Sequence, residues 1–256
     1  MHLALDLNAD LGEAYGPWTL GDDAAMLACV TSANIACGGH AGDPETMYRT
    51  LRRAAEHGVT VGAHPGYADR AGFGRRVIPM APPEIGRMVA AQVGALVAMA
   101  RLAGTVVVYV KLHGALANLA AADRVVADAV VSVVQRLDPA LALLAISGTE
   151  VEHAACAHGV AVFSEVYADR AYLPSGQLVP RQQPGAVLHD ADAAAQRLLT
   201  YLQTGRMPVL GGEPIPLRAD SVCVHGDHPA SVAMAREIRQ RLTAEGVALR
   251  SFLPRR

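Results

Sequence analysis

Short apolar runs alternate with longer alanine-rich segments along nearly the whole chain, and this alternation constrains the fold more than any other feature. Residues 2–7, 32–36, 59–63, 105–112, 141–146, 160–166 and 221–224 have the length and composition of buried strands. Between most of them, residues 44–57, 83–102, 123–137, 150–158, 190–203 and 229–245 carry apolar side chains at helical spacing. Helix starts are signalled by Asp43-Pro44 and His228-Pro229, and helix ends by Gly58, Gly104, Gly159 and Gly246. Strands that alternate with helices pair in parallel, because each crossover helix returns the chain to the same end of the sheet. No glycine- or serine-rich linker and no internal repeat divides residues 1–256, so they read as one α/β domain. Residues 172–187, rich in Pro, Gln and Gly, read as a long loop of the functional kind.

The polar residues gather just after the apolar part of nearly every strand. The first strand leads to Asp6, Asn8, Asp10 and Glu13, and the second to Asn34, Cys37, His40 and Asp43. His64, Asp69 and Arg70 follow the third, Lys111 and His113 the fourth, and Glu165, Asp169 and Arg170 the sixth. The last strand leads to His225, Asp227 and His228. In a parallel α/β barrel all these positions share one face, at the C-terminal strand ends where such barrels assemble active sites. Helix capping accounts for a single acid such as Asp43. It does not account for imidazoles gathering at the same strand ends. His2, His57, His153, His158 and His189 lack that placement and read as surface or packing residues.

Lys111 is the only lysine, and every other basic residue among the 22 is arginine. A lone ammonium in such a chain suits a place where a guanidinium is too large, too planar or too hard to deprotonate. It follows the run Val106-Val107-Val108-Tyr109-Val110, whose dry surroundings would lower its pKa. A base, a nucleophile and an anchor for phosphate or carboxylate are all open to it; the plainer alternative is a salt-bridge partner reaching out from a strand end. His40, His64, His113 and His225, with Asp10 and Asp227, have the donor types of a divalent metal site and equally those of acids and bases without metal. No H-E-x-x-H or similar short metal motif is present. Cys37 reads as a small buried thiol rather than a nucleophile.

Several classes are disfavoured. A net charge of −2, from 22 basic and 24 acidic residues, argues against a nucleic-acid or anionic-membrane partner. With 52% hydrophobic and 18% charged residues the chain has enough apolar side chains for a sizeable core. Asp6 interrupts the N-terminal apolar run and Arg101 closes the longest helical one, so neither a signal peptide nor a membrane span is expected and a cytoplasmic location is the default. Cys29, Cys37, Cys156 and Cys223 form no C-x-x-C pair, which suits reduced thiols. There is no G-x-x-x-x-G-K-[ST] phosphate loop, and Asp10-Leu11-Gly12-Glu13 stands where a dinucleotide fingerprint would follow the first strand.

These residues fall into six ordered blocks: Asp6-Leu-Asn-Ala-Asp-Leu-Gly-Glu13, Ser32-Ala-Asn-Ile-Ala-Cys-Gly-Gly-His-Ala-Gly-Asp43, Gly62-Ala-His-Pro-Gly66 with Phe73-Gly-Arg75, Lys111-Leu-His-Gly-Ala115, Glu165-Val-Tyr-Ala-Asp-Arg170 and Val224-His-Gly-Asp227. With them the chain resembles, nearly end to end, the LamB/YcsF family, the A subunits of bacterial ATP-dependent 5-oxoprolinase. The family usually has a proline where this chain has Leu112 and a tyrosine where it has Ala117. The resemblance implies a distorted (β/α)7 barrel similar to polysaccharide deacetylases. It implies opening of the 5-oxoproline lactam to glutamate with ATP as co-substrate, in a complex with subunits B and C; a divalent metal and a homo-oligomer are left open. On this reading Asp10, His64, Lys111, His113 and Glu165 are the catalytic candidates, and Asn8, Glu13, His40, Arg75, Arg170, His225 and Asp227 the substrate-binding ones. Two competing readings are a metal-dependent amide hydrolase or deacetylase of an N-acylated sugar, and a non-enzymatic subunit that presents a small acid to its partners.

Overall fold

Along β1 (Ala4–Leu11) the side chains alternate in chemistry as they alternate in direction. Leu5, Leu7, Ala9 and Leu11 join the main hydrophobic cluster, whereas Asp6, Asn8 and Asp10 are buried on the opposite face. The computed structural model describes residues 4–225 and 231–253. After β1 come α1 (Asp23–Leu27), β2 (Ser32–Ala36), α2 (Pro44–His57), β3 (Thr60–His64), α3 (Pro82–Leu102), β4 (Val107–Val110), α4 (Gly114–Ala122) and α5 (Arg124–Leu137). The chain continues through β5 (Ala142–Ile146), α6 (Glu150–His158), β6 (Val162–Tyr167), α7 (Ala191–Thr204), β7 (Arg206–Met207), β8 (Ile215–Pro216), β9 (Ser221–Val224), α8 (Ser231–Ala244) and β10 (Ala248–Leu249).

Strands β1 to β6 and β9 pair in parallel in that order, and β9 returns to β1 with Asp6 opposite Ser221. The expected seven-stranded (β/α) barrel is therefore closed, and each of the seven apolar runs supplies one of its strands. β10 lengthens the sheet beside the start of β1, and β7 with β8 forms a short antiparallel ribbon. The barrel is distorted between β3 and β4, where the register shifts at Val61 and Gly62. There the Tyr109 ring crosses β3 so closely that a Cβ on residue 62 would lie 2.1 Å from its Cε2. Only glycine leaves that room.

The helices carry most of the apolar burial. Leu51 of α2, Val89 and Leu96 of α3, Val130 of α5 and Ile238 of α8 are all fully covered against the strands' outer faces. Each such side chain contributes about 1.5–3 kcal/mol, so the helix layer can stabilise the fold while the lumen stays polar. By length and composition α3 suffices to cross a membrane, yet it packs on α2 and α5 as barrel wall. Gln92, its buried polar residue, clamps the turn after β3 by accepting from Gly66 N–H (3.1 Å) and donating to Gly66 C=O (2.7 Å).

Asp43 caps α2 by accepting from Thr46 N–H at 2.9 Å, and Gly58 and Gly159 close α2 and α6 in the left-handed conformation. Three sequence readings need correction. β1 runs on to Leu11, so Asp6, Asn8 and Asp10 are strand residues of the lumen and not of the turn beyond it. The short α1 and the alanine-rich α4 are absent from the periodicity, because neither carries an amphipathic pattern long enough to show. Asp69 belongs to its own loop, accepting from Gly72 N–H and pairing with Arg76. Asp227 and the His228-Pro229 cap lie outside the described residues.

Candidate active site

The lumen is a polar column in three tiers. At the bottom Asp6 accepts from Thr31 Oγ1 (2.6 Å), Ser32 Oγ (2.7 Å) and Ser221 Oγ. Above it Asn8 Nδ2 donates to Glu165 Oε1 at 2.9 Å, and Asn34 Nδ2 donates to Asn8 Oδ1 (2.6 Å) and Asp10 Oδ1 (2.9 Å). Tyr109 O–H donates to Asn34 Oδ1 at 2.7 Å and fixes that amide's orientation. Lys111 Nζ reaches into this tier from β4, at 3.0 Å from each of Asp10 Oδ1, Glu165 Oε1 and Cys223 Sγ.

Charge in this tier opposes the effect of burial on Lys111. Burial pulls its pKa down, but the carboxylates of Asp10 and Glu165 more than offset that and hold it well above the ordinary lysine range. Dry surroundings alone would lower the pKa of Lys111; the carboxylates around it reverse that direction and favour the charged ammonium. For Asp10 burial pushes upward, and His64 and Lys111 outweigh it, holding the carboxyl well below the usual range. Burial raises the Cys223 thiol, which stays protonated, and pushes Cys37 up to about 12, in keeping with an inert thiol.

The top tier is a cluster of imidazoles and carboxylates. His64 Nδ1 donates to the Lys111 carbonyl (2.8 Å) and His113 Nε2 to the Phe73 carbonyl (2.8 Å). A carbonyl oxygen only accepts, so each contact fixes which ring nitrogen carries hydrogen. Phe73 is the only non-glycine residue with positive φ among the described residues (φ 54), and that unfavourable backbone turns its carbonyl to His113. His113 Nδ1 lies 3.0 Å from His64 Nε2 and 3.5 Å from Glu13 Oε1, and His64 Nε2 is 3.4 Å from Asp10 Oδ2. His40 Nε2 meets Glu13 Oε1 at 3.0 Å, its ring stacked 3.6 Å from that of His113. Burial pushes both His40 and His113 well below the ordinary histidine range. The donor atoms of Glu13, His40, His64 and His113 all lie within 4.8 Å of one another, so the group is a candidate metal-holding cluster.

This tier floors a pocket of about 250 Å³. Asp10, Glu13, His64, Arg75, His113, Arg170 and His225 line it, as do Tyr167, Arg181 and the two family departures, Leu112 and Ala117. The long tract at 172–187 supplies a wall through residues 177–182. Asn8, Lys111 and Glu165 lie beneath the floor, and His40 lies behind His113, so Asn8 and His40 do not line the pocket as substrate ligands would. Arg170 lines it, but its guanidinium is committed to the wall, donating from Nη2 to Val179 C=O (2.6 Å) and from Nε to Ala186 C=O (3.3 Å). His225 stands apart from the other imidazoles, hydrogen-bonded to Asp169 Oδ2 at 2.7 Å and stacked on Tyr167. Tyr109, Tyr167, Phe73 and Arg181 join the site without a signal among the strand-end polar residues. Tyr109 and Tyr167 have a usable one, since Tyr109 lies two residues before Lys111 on β4 and Tyr167 two beyond Glu165 on β6, each on the inward face of its strand.

Comparison with known proteins agrees with this architecture. The model of the LamB/YcsF family matches residues 5–255. The 5-oxoprolinase A subunit of Nocardia farcinica is 55% identical over 251 residues, covering 98% of this chain and 100% of that one. Its counterpart in Gluconobacter oxydans is 50% identical over 248 residues, covering 97% and 98%. The crystal structure of the lactam utilization protein from Thermus thermophilus superposes with a TM-score of 0.91 at 41% identity, covering 97% of this chain and 100% of that one. The chain belongs to the LamB/YcsF family.

Proposed function

We propose that this chain is the A subunit of a cytoplasmic ATP-dependent 5-oxoprolinase, opening the lactam of 5-oxoproline to L-glutamate together with subunits B and C. The names borne by whole-length relatives support the substrate. They lend nothing to the deacetylase alternative. The observation that carries the chemistry is Asp10, an ionised carboxylate on the pocket floor held between Lys111 at 3.0 Å and His64 at 3.4 Å.

A lactam is a resonance-stabilised amide, so its opening needs a positioned nucleophile and support for the charge that develops on oxygen and nitrogen. Asp10 orients the attacking water, and the proton that water sheds has Asp10 and His64 within reach. The new C–O bond forms as the ring C–N bond breaks, and the leaving nitrogen takes up a proton. In the assembled complex the γ-phosphoryl group of ATP passes to the lactam oxygen with release of ADP, and ring opening then leaves an acyl phosphate that a second water hydrolyses to the carboxylate and phosphate. Arg75 and Arg181 on the pocket wall, with the N-terminus of α4 at Gly114 and Ala115, make an electropositive rim suited to the substrate carboxylate or a phosphate. Lys111, Glu165 and Asn8 hold Asp10 from below as positioning residues, and His225 lies on the rim under the control of Asp169.

Glutamate release from 5-oxoproline and ATP tests this reading, with the chain alone, the partner subunits alone, and all together. Glutamate from the full mixture only is expected. None from any mixture of folded components would overturn it.

A further inference from the structure

We propose that His64 Nε2, His113 Nδ1 and Glu13 form a binding site for a divalent first-row transition metal at the mouth of the barrel, with Asp10 at its edge and His40 supporting it from behind. The argument is one of hydrogen-bond donors and acceptors. His64 donates from Nδ1 and His113 from Nε2, each to a backbone carbonyl. The two remaining nitrogens face each other at 3.0 Å, a gap that one shared proton can bridge, and where a metal displaces that proton both present lone pairs. Glu13 Oε1 and Asp10 Oδ2 add two more acceptors at 3.5 and 3.4 Å from these nitrogens. With that proton displaced, the two imidazole nitrogens, Asp10 Oδ2 and Glu13 Oε1, which also accepts from His40, form a set of acceptors that an electrophile can bridge.

The spacing suits a metal ion. Donor atoms about 2.0–2.2 Å from a common centre stand roughly 3–3.5 Å apart, which is the spacing seen here. Metal-bound imidazoles characteristically donate their other N–H to a carbonyl or carboxylate, and both rings already do so. Two imidazoles with carboxylate oxygen make a borderline donor set that suits zinc, cobalt or iron(II) better than calcium or magnesium.

His40 belongs to the cluster by distance but is excluded as a ligand by ring orientation. Its plane is inclined by only 4° to that of His113, with centroids 3.6 Å apart. An imidazole lone pair lies in the ring plane, and a metal bound in the plane of one stacked ring stands well out of the other. His40 instead donates to Glu13 Oε1 and holds that carboxylate toward the two lone-pair nitrogens. The protein ligands His64, His113 and Glu13 then leave coordination positions open to the pocket, as in catalytic sites, where a metal supplies a Lewis acid for a bound oxygen. Placed within the proposed lactam chemistry, the site removes His64 as a proton acceptor and leaves that part to Asp10. The site itself stands whether or not that chemistry is correct.

Titration of the full-length chain with Co²⁺ and Zn²⁺, followed by visible absorption for cobalt and calorimetry for zinc, tests this without any turnover assay. One equivalent per chain is expected, with the intense visible bands of low-coordinate cobalt. His64→Gln and His113→Gln are expected to abolish it, His40→Ala to weaken it about 10–100-fold, and His153→Asn, on the surface, to leave it unchanged. X-ray absorption at the metal edge of the unaltered chain reads the ligands even where a variant fails to fold, and imidazole with oxygen is expected. No saturable binding by the unaltered chain would overturn the site, as when a shared proton joins His64 and His113. So would binding undiminished in His64→Gln, loss in His40→Ala as complete as in His113→Gln, or sulfur in the coordination sphere.

Discussion

Lys111 Nζ stands 3.0 Å from Asp10 Oδ1 with neither side chain more than 6% exposed. Such a pair must offset a large desolvation cost, and here the ammonium also neutralises Glu165 at 3.0 Å. Removing it takes the ammonium away from two buried carboxylates at once. Lys111→Ala is therefore expected to cost about 3–5 kcal/mol in urea unfolding. Lys111→Arg keeps the charge but forces a planar fork among Asn8, Asp10 and Cys223. Both variants are expected to lose roughly 100-fold or more in glutamate release by the assembled complex, the scale of a misplaced reacting group. Full turnover in both would show that Lys111 does not position Asp10.

Gly62 is the point at which backbone geometry governs the polar column. A methyl group there would meet Cε2, Cζ and Cδ2 of Tyr109, all within 2.5 Å, and Tyr109 orients Asn34, which in turn contacts Asp10. Gly62→Ala is expected to destabilise by about 1–3 kcal/mol through overpacking and to lower turnover at the same time. Combined with Tyr109→Leu, which removes the clashing ring, the second substitution should cost much less than it does alone. Simple additivity in denaturant unfolding of the four chains would refute the clash.

How far this molecule is legible in its sequence depends on whether the signal is periodic or spatial. The seven barrel strands and the α2 and α6 bounds are legible because burial on both faces makes parallel strands into apolar runs, and caps mark the helix ends. The strand-end residues are legible as a set for the same topological reason. Their grouping is not. Glu13 and His40 meet at 3.0 Å across 27 positions, and His225 leaves the other imidazoles to join Asp169. The charge state of Lys111 departs from the sequence expectation because dryness and paired carboxylates act on it in opposite directions, and only the three-dimensional arrangement says which is larger. Asp6, Asn8 and Asp10 look like a loop because a polar lumen breaks the apolar run that usually betrays a barrel strand.

Asp6 gives the fold a pH dependence of its own. Burial raises its pKa from 3.8 to about 6, against the opposing hydrogen bonds from Ser221, Thr31 and Ser32. The folded state thus holds the proton more tightly than the unfolded one, so this group's contribution to stability falls as pH rises. It has no effect below about pH 4, where both states are protonated, and reaches its full destabilising value above the folded pKa near 6. A shift of about two units corresponds to about 3 kcal/mol. Unfolding free energies of the unaltered chain and Asp6→Asn, measured from about pH 4 to about pH 7, are expected to shift relative to each other by roughly that amount in favour of the variant as pH rises. A constant difference across the range would place the raised pKa elsewhere.

Arg170 ties the pocket wall to the barrel. Its guanidinium bonds the carbonyls of Val179 and Ala186, while Arg197 Nη2 donates to the Arg170 carbonyl at 2.7 Å. A buried arginine used in this way acts through its fork of donors, which lysine cannot reproduce. Arg170→Lys is expected to leave the barrel strands protected in amide hydrogen exchange but to speed exchange in residues 172–187. Because that tract lines the pocket without touching Asp10, the kinetic signature should be a raised KM for 5-oxoproline with kcat changed far less. The opposite pattern, an unchanged KM with a fall in kcat, would mean that Arg170 meets the reacting atoms directly and that the wall does not depend on it.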